Sequence, residues 1–134
     1  MDSGKIIERV LSPIAATYTM RALSAVSGTS RFVFYIRHRN EPEETLSGPC
    51  ELWNQLYEIN CVGGTYEACV TLVDAVMAAL QAMAGQWYTD EDGSVQVQRV
   101  LAQQESPVLM EEAVGLFRCP LRLDLNLCVG GDAT

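Results

Sequence analysis

LFRCPLRLDLNLCV, residues 116–129, is the stretch on which the fold class turns. Phe117, Cys119, Leu121, Leu123, Leu125, Leu127 and Val129 alternate with Arg118, Pro120, Arg122, Asp124, Asn126 and Cys128. Strict alternation over this length is a β-strand with one face in a core and the other in water or against a partner. Pro120 cannot donate to a ladder, so it is expected at an edge or in the first part of the strand.

Upstream, TYEACVTLVDAVMAALQAMA, residues 65–84, switches the period from two to that of a helix. Cys69, Leu72, Val73, Val76, Leu80 and Met83 make its apolar face. Thr65 is placed to cap it, Glu67 falls in the first turn where the helix dipole favours an anion, and Gly85 ends it. Two further strands precede this helix. RFVFYIRHR, residues 31–39, is partly apolar on both faces, and ELWNQLYEINCV, residues 51–62, alternates imperfectly near Leu52 and Leu56, which a bulge or a late strand start would explain. Between them, NEPEETLSGPC reads as a solvated loop. VQVQRVLAQ, residues 95–103, begins as a strand and shifts its apolar face at Val100. DEDGS before it reads as a turn, and residues 104–115 as loop. Residues 3–11 predict a short N-terminal helix capped by Ser3, and 14–26 fit either helix or strand. The expectation is one domain, 1–134, of α+β class: a small, mostly antiparallel sheet with one long helix packed on it and a short N-terminal helix.

Composition narrows function by exclusion. Nine basic residues against 17 acidic ones give a net charge of −8, a poor basis for reading duplex DNA. No run of apolar residues is long enough for a membrane span, and the charged start MDSGKIIERVLSP is not a secretory signal, so no membrane association is expected. Cys50, Cys61, Cys69, Cys119 and Cys128 have no metal-knuckle spacing, and a reducing cytoplasm with small buried thiols is expected.

The chemistry-bearing residue types do not assemble into a catalytic motif. His38 is the single histidine and reads as a packed or surface side chain. The acidic pairs Glu43-Glu44, Asp90-Glu91-Asp92 and Glu111-Glu112 read as solvated loops, and Gly63-Gly64-Thr65 as a tight strand-to-helix turn without a phosphate-binding fingerprint. The sequence therefore predicts no enzyme, no catalytic residues, no cofactor and no metal. Eight arginines against one lysine suit an interface, since arginine is the cation favoured there. A basic sheet face and the acidic loop are the two candidate docking surfaces: Arg118, Arg122 and Asp124 on the last strand, and Glu41, Glu43 and Glu44 in the loop.

Four features together resemble a known family. Thr45-Leu46-Ser47-Gly48 follows a strand; Tyr57-Glu58-Ile59-Asn60-Cys61-Val62-Gly63-Gly64 closes the next; Thr65-Tyr66-Glu67-Ala68 starts an alanine-rich helix; and a long alternating strand runs from Leu116 to Leu127. The chain resembles the tail-completion, or tail-terminator, proteins of long-tailed bacteriophages, best over residues 31–84 and 116–128. The resemblance implies a virion protein of the tail and neck, assembled in the host cytoplasm. It implies a homohexameric ring that caps the tail tube, ends tube polymerisation and gives the head-tail connector or head-closure protein a docking surface. Genome DNA would pass through the ring without sequence-specific binding, and an acidic ring would not retain it. The alternatives are another neck or tail-tube component of the virion, or a small cytoplasmic ligand-binding or enzymatic domain using His38 or Cys61.

Overall fold

A computed structural model describes residues 2–19, 31–42 and 51–130. In chain order the elements are α1 (Ser3–Leu11), β1 (Ala16–Thr19), β2 (Arg31–Pro42), β3 (Glu51–Gly63), α2 (Tyr66–Gln81), β4 (Trp87–Asp90), β5 (Gly93–Gln104), β6 (Leu109–Glu111) and β7 (Leu116–Gly130). The strands form one sheet in the order β1-β2-β3-β7-β5-β4, with β6 on the remaining part of β7. β1 runs parallel to β2 and every other pair is antiparallel.

This overturns the expected small, mostly antiparallel sheet with one long helix. More than half of the described residues are strand, and the sheet is a curled, mixed half-barrel with two helices. The reason lies in β7. Its 15 residues pair with β3 along one edge and with β5 and β6 along the other, which joins β1-β2-β3 to β5-β4 in one wide layer. β7 is therefore central, not an edge. Pro120 is tolerated there because its carbonyl accepts from Glu105 N at 3.0 Å, just past the end of β5, so the bond proline cannot donate is the last of that ladder.

Both helices pack on one face of the sheet. Val33 and Tyr35 of β2, Tyr57, Ile59 and Cys61 of β3, Val95 and Val97 of β5 and the odd-numbered residues 119–127 of β7 meet Ile6, Ile7 and Leu11 of α1 and Cys69, Leu72, Val73, Val76 and Leu80 of α2. α2 starts as its sequence requires, with Thr65 Oγ1 accepting from Ala68 N at 3.1 Å. α1 is capped differently from the expectation. Asp2 is the N-cap, and the Ser3 hydroxyl instead bonds the Tyr57 hydroxyl beneath the helix. Tyr35 donates to Glu8 Oε1 at 2.8 Å, while Lys5 lies 3.6 Å from Asp90 and Arg9 reaches Thr89 O of β4. One short helix thus touches β2, β3 and β4, and the sheet curls around it.

The bulges are not where the sequence places one. β3 runs unbroken against β7, and the register shifts instead lie between Arg37 and Arg39 of β2 and between Val97 and Arg99 of β5. The second explains the face shift at Val100. The DEDGS turn is the tip of the β4–β5 hairpin, where Asp90 Oδ1 accepts from Asp92 N at 2.8 Å. The loop expected from residue 40 starts later, since Asn40, Glu41 and Pro42 continue β2; residues 43–50 lie outside the described residues.

Cys61, Cys69 and Cys119 are buried free thiols, with Cys61 and Cys119 opposite each other across β3 and β7. Cys128 is disulfide-bonded, which departs from the expectation of reduced thiols throughout. Burial pushes all three free thiols up, Cys69 to about 11, and it raises the Tyr57 phenol likewise. The folded state thus holds protons that the unfolded chain, with thiols near about 8.5, gives up first. That stabilisation is complete below the unfolded value and is lost as pH rises through the folded one. The urea midpoint is expected to stay level from about pH 7 to about pH 8 and to fall from there toward about pH 11. A midpoint that rises over that upper range would contradict it.

Candidate assembly surface

The face of the sheet opposite the helices presents cross-strand rows that change character along the strands. At one end Phe32, Phe34 and Val62 form a small apolar cluster with Tyr18, Ile36 and Leu116. Next come Ile36, Glu58, Arg122 and Gln103 in one row, then Arg39, Leu56, Asp124 and Leu101, then Glu41, Asn54, Asn126 and Arg99. Polar side chains here are tied to one another. Arg118 donates to Glu111 Oε1 and to Asn60 Oδ1, both at 2.7 Å, and Asn60 donates to Glu58 Oε2 at 2.8 Å. Glu58 also lies 3.8 Å from His38 Nε2, and Arg122 donates to Asp124 Oδ2 at 3.0 Å.

The residues expected as interface fall into two groups. Arg118, Arg122 and Asp124 share this face, as their alternation requires, but each already has a partner within the chain. Glu41 lies on the same face at the far end of β2, level with Asn126 and not with Arg118; the eight residue steps along β7 between those levels span roughly 27 Å. Glu43 and Glu44 lie outside the described residues. His38 and Cys61 are not brought together. His38 is half-exposed beside Glu58, whereas Cys61 is fully buried on the helix side. Among the described residues no group of three or more His, Cys, Asp or Glu is placed to hold a metal ion, and no helix is long and apolar enough to cross a membrane.

Two arginines outside the candidate set are placed more openly. Arg39 of β2 and Arg99 of β5 are exposed and line one depression of about 320 Å³ with Asn54, Leu101, Asp124 and Asn126. Neither has an ion-pair partner among the described residues. Both follow a bulge, so simple alternation from the strand start puts them on the wrong face. On the helix side a second hollow of about 250 Å³ is lined by Ser3, Arg37, Asn40, Trp53, Gln55 and Leu127 among others. There Gln55 Nε2 donates to Asn40 Oδ1 at 2.8 Å, and its buried Oε1 has no hydrogen-bond partner among the described residues. The hollow can accept one N–H from an incoming group, which would relieve a cost of about 1–3 kcal/mol.

The outer edges of the sheet carry the same openness. β1 covers only Phe32–Tyr35 of β2, and β4 covers only Gly93–Gln96 of β5. Gly85 and Gln86 bond Val97 and no farther. Among the described residues, Ile36–Pro42 of β2 and Gln98–Gln104 of β5 therefore each have a strand neighbour on one side only. The two open stretches lie on opposite sides of the sheet and at the same level, across β3 and β7. Such edges are templates for another strand.

No family model and no curated protein matches this chain. Among solved structures it is similar to a chain in the virion of a native gene transfer agent particle. The identity is 12%, the TM-score 0.46, and the alignment covers 92% of this chain and 84% of that one. A likeness of that size transfers neither fold nor function.

Proposed function

We propose that this chain is a structural subunit of a virion, and that copies of it join head to tail into a closed ring at the end of the tail. The ring, of about six subunits, caps the tail tube, stops its growth and offers the head-tail connector a docking surface, and genome DNA passes through its lumen. The single observation that carries the ring is the pair of edges left open among the described residues. A cyclic ring needs two different surfaces per subunit that meet head to tail. Ile36–Pro42 and Gln98–Gln104 are two such surfaces, on opposite sides of one sheet. The antiparallel path β2-β3-β7-β5 also gives β2 and β5 opposite directions, so a neighbour's β2 would continue the ladder of β5 in antiparallel sense. The tail location rests on the resemblance of residues 31–84 and 116–128 to tail-terminator proteins.

The test is the assembly mass of the purified protein across a concentration series, alone and with purified tail tubes, with negative-stain images of the same samples. A closed ring of a few subunits, formed in either condition, is the expected result. Long tubes would reassign the chain to the tube itself. A monomer that ignores tail tubes at every concentration would overturn the ring.

A further inference from the structure

We infer that Glu41 of one copy pairs with Arg99 of the next, and that this pair sets the register of the seam between β2 and β5. The inference rests on the ring reading above and adds the contact that positions it.

Glu41 and Arg99 are both exposed, and neither has an ion-pair partner within the chain among the described residues. They stand at the two ends of one cross-sheet row, Glu41–Asn54–Asn126–Arg99, on the helix-free face. Continuing the row through the seam sets Glu41 of one copy beside Arg99 of its neighbour. The other rows of this face continue through the seam in the same alignment, with Arg39 beside Leu101 and, past the bulge at His38, Ile36 beside Gln103.

The alternatives are disfavoured by sign and by face. Slipping one residue turns each side chain to the other face of the sheet. Slipping two residues one way opposes Arg39 to Arg99, and like charges directly opposite are destabilising. In the favoured alignment Arg39 instead faces Leu101, which is 40% exposed in the single chain, and the arginine stem covers it. Slipping two residues the other way would set Glu41 against Leu101 and leave Arg99 with no acid opposite it among the described residues.

Charge reversal tests the pair, read by assembly mass under whichever condition assembles the wild type. At a concentration where the wild type is fully assembled, Glu41→Arg and Arg99→Glu are each expected to remain monomeric. Their urea midpoints are expected to stay at the wild-type value, since both sites are exposed. An equimolar mixture of the two variants is expected to regain rings, because alternating copies place opposite charges at every seam, and the double variant in one chain should do the same. Glu43→Arg is expected to assemble as the wild type does. Single variants that assemble normally would overturn the pair and leave the ring standing, as would a mixture that stays monomeric. Loss of assembly in Glu43→Arg alone would overturn the register. A wild type that never assembles would overturn the ring reading itself.

Discussion

Leu123→Ala is expected to lose about 4 kcal/mol of folding stability, within the range of about 2–5 kcal/mol seen for buried leucines. Leu123 is fully buried at the middle of β7, between Tyr57 of β3 and Ala102 of β5. Its neighbours are held by ladders on both sides, so the sheet cannot close over the missing atoms, and the cavity term adds to the transfer term. The measurement is a urea titration of wild type and variant. The midpoint should fall while the slope stays constant, because the amount of surface exposed on unfolding is nearly unchanged. Leu101→Ala is the internal contrast. Leu101 lies on the helix-free face of β5 and is 40% exposed, so its loss should move stability by less than about 0.5 kcal/mol. A loss below about 1 kcal/mol at Leu123 would mean that the β7 centre is not packed as described.

Gly63→Ala is expected to cost about 3 kcal/mol, at the upper end of overpacking effects. Gly63 ends β3, and a Cβ there would stand 2.6 Å from Cys69 N and 2.9 Å from Cys69 Cα, the backbone of α2 itself. A side chain in the way could rotate, but a helix backbone cannot. Cys69 N donates to Thr65 O at 3.1 Å, and Cys69 Sγ lies 3.5 Å from Cys61 O, so the first turn of α2 has no slack against β3. Gly85→Ala gives the comparison. Gly85 has a φ of 81° and nothing within 4 Å of a Cβ, so only the left-handed conformation is penalised, by about 1–2 kcal/mol. If the two substitutions cost the same, the close approach of strand and helix at Gly63 is not what fixes α2.

These sites also show which parts of the chain announce themselves. α2, α1 and β7 are long enough for their periods to be read, and the strand-to-helix turn at Gly63-Gly64-Thr65 follows from its residues. β1, β4 and β6 are only three or four residues long, too short for any period, and they are the strands that make the sheet wide. Strand order was out of reach for a different reason: alternation says which face of β7 is buried, not that it lies between β3 and β5. The candidate surface divides in the same way. Arg118, Arg122 and Asp124 were assigned to one face correctly by alternation, but Glu111 and Asn60 come to Arg118 through pairings of β6 and β3 that no local pattern encodes. Arg39 and Arg99 stand outside the candidate set, and each follows a bulge, which breaks the count that would place them on this face.

The central position of β7 has a consequence for the order of events at the ribosome. It is the last of the seven strands among the described residues, yet it is the one that joins β3 to β5. Until residues 116–130 have been made and released from the exit tunnel, the nascent chain holds two half-sheets with a strand-wide gap between them. At about 5–20 residues per second, that interval lasts seconds, during which two long inner edges and the apolar face of α2 stand open. Closure is then a single non-local step that waits on β7, and a chain without β7 would hold two sets of strands with nothing to join them.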